Sequence, residues 1–165
     1  MSNGVKGIIQ SLRENKHLNL FHLKEEELVA IIEFLEREKL SFEVLCIMST
    51  KDVKEETLLR LFSVVKKCTE LTSISVNIAQ IHKFKEPFAE LISCSKKLGY
   101  FSFSPNKIAN EETVELLCEK LVDCPLKKIF LSDFLMTPNN SKVSIFWLVS
   151  IDWIISLISA TPSIM

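Results

Sequence analysis

Short runs of alternating apolar and polar residues recur along this chain at a nearly constant interval. In Leu98-Gly99-Tyr100-Phe101-Ser102-Phe103-Ser104-Pro105-Asn106-Lys107-Ile108 the apolar residues follow the pattern LxxLxLxxNxL, with Asn106 at the asparagine position. The same spacing fits Leu71, Ile74, Val76, Ala79 and Ile81, and again Leu126, Ile129, Leu131, Phe134 and Met136. Shorter copies occur at Phe42, Leu45, Ile47 and Thr50 and at Asn15, Leu18 and Leu20, the last without its first apolar residue. The central positions Leu18, Leu45, Ile74, Phe101 and Ile129 are 27, 29, 27 and 28 residues apart. Alternation with a period of two predicts a β-strand at each copy, because successive side chains of a strand point to opposite faces.

Between these runs the apolar period changes to that of a helix. Leu28, Ile31, Ile32 and Leu35 recur at helical spacing within 25–39, Leu58, Leu61, Phe62 and Val65 within 55–67, Phe88, Leu91 and Ile92 after Pro87, and Val114, Leu117, Cys118 and Leu121 after Glu111. Each repeat therefore reads as one strand followed by one amphipathic helix. The helix starts carry Glu25-Glu26-Glu27, Glu55-Glu56 and Glu111-Glu112, and the ends carry Lys39, Lys66-Lys67, Lys96-Lys97 and Lys120, a polarity that complements the helix dipole. Asp52 with Glu55 reads as an N-cap pair, Asn110 as a cap for the last helix, and Glu86-Pro87 as a first turn, where the missing amide hydrogen costs nothing. A helix over about 6–14, with Ile8, Ile9 and Leu12 on one side, is expected to cap the first repeat. The predicted organisation is a capping helix in 1–16, about five repeats in 17–142 and an apolar tail in 143–165.

A strand and a full helix within a period near 28 resemble the ribonuclease-inhibitor-like leucine-rich repeat, the type also found at the carboxyl end of NLR immune sensors. The resemblance spans roughly Leu18 to Met136 and is most specific in Glu111-Glu112-Thr113-Val114-Glu115-Leu116-Leu117-Cys118 and in Cys124-Pro125-Leu126-Lys127-Lys128-Ile129-Phe130-Leu131-Ser132. Only Asn106 fills the asparagine or cysteine position of that family; Thr50, Ala79 and Phe134 replace it elsewhere, so those turns are expected to be less regular. The resemblance implies an α/β leucine-rich-repeat solenoid, a short horseshoe arc with parallel strands on the concave side and helices on the convex side. It further implies a non-catalytic, cytoplasmic module that binds a protein or peptide, with a role in innate immune sensing or regulation. No nucleotide-binding element accompanies the repeats, since Gly4-Val5-Lys6-Gly7 lacks the rest of a phosphate loop.

If the strands lie side by side, the residues flanking each buried pair point away from the helices. They are His17, Asn19 and Phe21; Val44, Cys46 and Met48; Ser73, Ser75 and Asn77; Tyr100, Ser102 and Ser104; and Lys128, Phe130 and Ser132. Small hydroxylic residues occupy the middle of this set and larger, anchor-type side chains its flanks. The candidate protein-binding residues are Phe21, Met48, Ser75, Asn77, Tyr100, Ser102, Lys128 and Phe130.

Composition narrows the chemistry. The 165 residues carry 20 lysines and arginines against 21 acids, a net charge of −1, which removes the electrostatic drive toward nucleic acid. The 5 cysteines, Cys46, Cys68, Cys94, Cys118 and Cys124, follow no CxxC spacing, so free thiols in a reducing compartment are expected. Cys68, Cys94 and Cys124 occupy similar places before a strand, where a small buried residue is wanted. His17, His22 and His82 neighbour no nucleophile or metal-ligand motif, so neither catalysis, a cofactor nor a metal is expected. The tail departs from the rest: 143–165 holds one charged residue, Asp152. It reads as packing against the last repeat or another chain, as an unrelated sequence joined to a truncated array, or, over 143–160, as a membrane anchor, the alternative being a tail-anchored protein presenting its repeats to the cytosol. Asp152 opposes insertion by about 2.5–3.5 kcal/mol.

Overall fold

Strands and helices alternate along the computed structural model, which describes residues 2–48, 53–78, 81–104 and 111–131. In chain order they are α1 (Asn3–Asn15), β1 (His17–Phe21), α2 (Glu25–Glu38), β2 (Val44–Met48), α3 (Glu55–Val65), β3 (Ser73–Asn77), a 3₁₀ turn (Ile81–Phe84), α4 (Lys85–Cys94), β4 (Tyr100–Phe103), α5 (Glu111–Leu121) and β5 (Lys128–Leu131). The architecture is α/β: one five-stranded sheet in the order β1-β2-β3-β4-β5. Every neighbouring pair is parallel, and the register places Leu18, Leu45, Ile74, Phe101 and Ile129 in one row, as the spacing predicts. A helix between consecutive strands is what permits this, because a parallel pair cannot be joined by a tight turn. The tail of 143–165, including 143–160, lies outside the described residues, as do Thr50, Ala79, Asn106 and Phe134.

The alternating strand residues divide the sheet into two unlike faces. Leu18, Leu20, Leu45, Ile47, Ile74, Val76, Phe101 and Phe103 are all buried against the helices. Helices supply Leu12, Leu28, Ile31, Ile32, Leu61, Phe62, Leu91 and Ile92 from the other side. Phe88 of α4, 0% exposed, is the hub of an aromatic cluster. Its ring lies 5.8 Å from Phe62, 6.1 Å from Phe101 and 6.2 Å from Phe103, so one side chain ties together α3, α4 and β4. Phe62 in turn lies 6.2 Å from Phe84 in the turn before α4.

Register is fixed at the leading edge of the sheet by a recurring pair of hydrogen bonds. The carbonyl of Lys16 accepts from the amides of both Glu43 and Val44, that of Glu43 from Thr72 and Ser73, that of Thr72 from Gly99 and Tyr100, and that of Gly99 from Lys127 and Lys128, all at 2.8–3.2 Å. Each of β2–β5 thus enters the sheet by clasping the carbonyl just ahead of the preceding strand, which also satisfies two amides that would otherwise be orphaned.

Helix ends are capped in ways that local sequence only partly announces. Helix α1 begins at Asn3, earlier than its apolar pattern requires, because the Ser2 hydroxyl accepts from the Val5 amide at 3.2 Å. The same hydroxyl donates to Glu27 of α2 at 2.7 Å, and Glu27 accepts the Lys24 amide at 3.3 Å. For α3 the N-cap position is Lys54 rather than Asp52, and the cap comes from the preceding repeat: Glu25 accepts the Lys54 amide at 2.8 Å and the Thr57 hydroxyl at 2.5 Å. The acidic helix starts therefore serve neighbouring helices as well as their own dipole. Pro87 sits in the first turn of α4, as expected; Asn110 lies outside the described residues. Lys16 and Lys39 close α1 and α2 in the left-handed region at φ 60° and 49°, a conformation where glycine is the usual choice.

One expectation about small residues is corrected by the same geometry. Cys68, Ser95 and Cys124, not Cys94, hold equivalent places at helix ends, each donating its amide to the carbonyl three residues back. Ser95 is fully buried and donates to the Leu91 carbonyl at 2.7 Å, whereas Cys94 is exposed. The buried thiol of Cys68 donates to the Phe42 carbonyl at 3.0 Å and accepts its amide at 3.4 Å, pinning the entry to β2. Across the helices run inter-repeat ion pairs: Arg60 with Glu36, Lys66 with Glu90 at 2.9 Å, Lys83 with Glu55 at 3.7 Å, and Lys85 with Glu112. These are exposed or half-exposed pairs, and each contributes on the order of 0–1 kcal/mol.

Phe88→Ala is expected to cost about 3–5 kcal/mol, a large share of the roughly 5–15 kcal/mol typical of a domain, so the variant should unfold well below the wild-type midpoint. Retention of a sharp transition near the wild-type midpoint would show that the aromatic hub is not central. A second expectation concerns acid. Hydrogen bonds from Thr57 and Lys54 hold the Glu25 carboxyl below its ordinary range, and those from Ser2 and Lys24 do the same for Glu27. A carboxyl depressed in the folded state contributes stability above its unfolded pKa and loses it as pH falls through the folded one. Glu25→Ala should therefore lower the urea midpoint at neutral pH and flatten its decline below about pH 5 relative to wild type; parallel pH profiles would count against the cap.

Candidate interaction surface

On the face turned away from the helices, the strand register assembles three rows. The first is His17, Val44, Ser73, Tyr100 and Lys128; the second is Asn19, Cys46, Ser75, Ser102 and Phe130; the third begins with Phe21, Met48 and Asn77. Most of these side chains are half-buried by their neighbours, but Phe21 and Phe130 stand out at 44% and 42% exposed. Large apolar side chains held this far into water are costly to a free surface and are the kind that anchor partners.

The eight predicted binding residues fall into two groups with a bridge between them. Phe21, Met48 and Asn77 stand together at the trailing ends of β1, β2 and β3. Tyr100, Lys128 and Phe130 gather on β4 and β5: the two rings are 5.8 Å apart at 45°, and the Lys128 ammonium lies 5.0 Å over Phe130. Such a tilted pair with a cation on its face gains from the ring quadrupole as well as from contact area. Ser75 and Ser102 are paired neighbours in the middle row. With strands about 4.8 Å apart, Phe21 and Phe130 are separated by roughly 19 Å across the sheet, too far to share one anchor pocket.

Two polar details of this face bear on its chemistry. Burial raises the pKa of the Cys46 thiol, and a hydrogen bond with Ser75 only partly opposes that, which lowers its thiolate fraction relative to an ordinary thiol. The side-chain oxygen of Asn77 is buried and has no hydrogen-bond partner among the described residues.

Sequence reasoning missed a second feature at the leading edge of β3–β5. There an open depression of about 580 Å³ is lined by Ser73, Tyr100, Pro125 and the lysines Lys97, Lys127 and Lys128. Lys97 is neutralised by Glu70 at 2.6 Å, and that bond holds the Glu70 carboxyl below its usual range. Lys127 makes no ion pair among the described residues. The signal was present in the paired lysines Lys96-Lys97 and Lys127-Lys128, which precede consecutive strands; the first pair was read only as a helix end.

Nothing in the described residues brings catalytic or metal-binding groups together. No three of His, Cys, Asp or Glu converge there. His17, His22 and His82 are exposed; His17 opens β1, His22 follows it, and His82 lies in the turn before α4. Among the described residues no helix is long and apolar enough to cross a membrane.

No protein-family model matches the sequence, and no curated protein matches it. Solved structures do. The tropomodulin C-terminal domain of Caenorhabditis elegans aligns with a TM-score of 0.58 at 14% identity, covering 88% of this chain and 92% of that one. Actin-binding site 2 of leiomodin-1 aligns with a TM-score of 0.58 at 13% identity, covering 88% of this chain and 85% of that one. At such identity the likeness concerns the fold. It overturns the expected kinship with ribonuclease-inhibitor-like leucine-rich-repeat proteins and NLR sensors, and the immune role inferred from it is withdrawn. The physical reason is plain: the apolar template marks the inward positions that any parallel strand-helix array must fill, so it reports how the chain stacks, not its descent.

At mildly alkaline pH, iodoacetamide is expected to label exposed Cys94 well before Cys46, read by peptide mass spectrometry. Equal rates at the two thiols would mean that the middle of the sheet face is more open than its packing implies.

Proposed function

We propose that this chain is a non-catalytic protein-binding domain that docks a protein or peptide on the open face of its sheet. The observation that carries this reading is the Tyr100–Phe130 pair with Lys128 over it: an aromatic anchor fixed on two adjacent strands, with Phe130 still 42% exposed. Rigid strands deliver such anchors with little ordering cost, which favours recognition. The depression beside them is open and lysine-lined, unlike the enclosed pocket with convergent polar groups that a catalytic site requires. The structural neighbours support a protein partner, because one of them is described as an actin-binding site; actin is therefore the first partner to test. All five cysteines are free, which supports a reducing, cytoplasmic setting.

The test is a double substitution, Tyr100→Ala with Phe130→Ala. Both side chains lie on the outer face, so the far-ultraviolet circular dichroism and thermal midpoint should stay close to wild type. Affinity for the partner, measured with purified actin first and then with partners found by crosslinking in cells, should fall by about tenfold or more. A double variant that binds its partner as tightly as wild type removes this face from consideration.

A further inference from the structure

We infer that the leading edge of β3–β5 receives an acidic segment of a partner polypeptide, with its carboxylates on Lys127 and Lys128 and an apolar side chain against Tyr100 and Phe130. This deepens the docking reading above and rests on it. Lysines recur along this edge, interspersed with Glu43, Glu70 and Asp123: Lys16, Lys39, Lys66-Lys67, Lys96-Lys97 and Lys127-Lys128 all fall where a helix ends or the next strand begins. Half of these have a structural explanation. Lys16 and Lys39 close helices, Lys66 pairs with Glu90, and Lys97 pairs with Glu70.

Lys127 has no such explanation, and Lys128 is engaged only by the Phe130 ring, which leaves its charge without a carboxylate partner among the described residues. Helix α5 ends at Leu121, so both lie beyond the last turn within which a cation serves the dipole. Neither makes an ion pair among the described residues, and the two adjacent charges repel each other. Their amides are meanwhile clasped by the Gly99 carbonyl at 2.8 and 3.1 Å, so the backbone presenting them is fixed. The depression they line is open and about 580 Å³, with Tyr100 and Pro125 giving it apolar surface. That shape admits an extended chain and does not enclose a small molecule, which typically needs most of its surface covered. A phosphate backbone is the less favoured occupant. The chain carries a net charge of −1, and Glu70 sits beside Lys97 at this edge, so the extended positive field that nucleic acid requires is missing.

The experiment uses the full chain and a fluorescein-labelled peptide of about ten residues, glutamates around a central tryptophan, followed by anisotropy at low and at physiological salt. Lys127→Glu combined with Lys128→Glu should raise the Kd about tenfold or more, and Tyr100→Ala by several fold, while Lys39→Glu at the other end of the edge leaves it within about twofold. Replacing the probe's glutamates by glutamine should weaken binding to wild type to the level of the charge-reversed variant. The inference is overturned if the probe does not bind, if charge reversal at 127 and 128 leaves the Kd unchanged, or if Lys39→Glu weakens binding equally. Tighter binding of a single-stranded oligonucleotide of matched charge overturns it in favour of nucleic acid. Loss of the natural partner on Tyr100→Ala with Phe130→Ala, alongside unchanged probe binding on charge reversal, would leave the docking face standing and remove only the acidic-segment assignment.

Discussion

A single strand with its helix has too little apolar surface of its own to leave water, so each unit here depends on the next lying in register beside it. The row Leu18, Leu45, Ile74, Phe101 and Ile129 is the visible form of that dependence. Slip one strand by a single residue and its buried pair would exchange places with its outward residues, since side chains alternate across a strand. At β4 that would drive Ser102 into the core and expel Phe101, together with its contact to Phe88. Core and outer face are therefore set by one constraint, and the interaction surface inherits the precision of the core.

That inheritance explains why the aromatic anchor needs no pocket to hold it. Tyr100 and Phe130 meet because β4 and β5 pair with Ser102 opposite Phe130 and Tyr100 opposite Lys128, which places the two rings on a diagonal. The lysine that completes the cluster is supplied by the same strand as the phenylalanine, two residues earlier, so it reaches the ring face from a fixed backbone. By contrast the group at Phe21, Met48 and Asn77 has an exposed ring but, among the described residues, no cation over it. The two ends of the sheet face are thus chemically different, although the sequence pattern treats them alike.

What was legible in the sequence was the part governed by periodicity. Alternation inside the strands and helical spacing between them located all five central residues and the outward residues of the paired strands, Ser132 lying outside the described residues, because burial is enforced at every turn of the pattern. Contacts between repeats were not legible. Glu25 capping α3 spans 29 residues to Lys54 and 32 to Thr57, and no local motif connects them, so Asp52 looked like the natural cap. The place assigned to Cys94 belongs to Ser95, because the helix end is defined by its backbone hydrogen bond rather than by residue type. The lysine-lined depression was missed for a related reason: it forms only where loops from separate repeats meet. Kinship was misread because the shared template is a rule of stacking, which unrelated chains obey equally.

The carbonyls of Lys16, Glu43, Thr72 and Gly99 act as detents, each catching the incoming strand at a set point whatever the path taken to reach it. Between one detent and the next the chain travels 27, then 29, then 27 residues, and its helices run to 14, 11 and 10 residues, yet the strands stay aligned. Length variation is thereby confined to the helical return path. Such a chain can accept insertions or deletions behind the sheet during evolution while the geometry of its outward face is transmitted unaltered, which decouples how the domain is built from what it is shaped to meet.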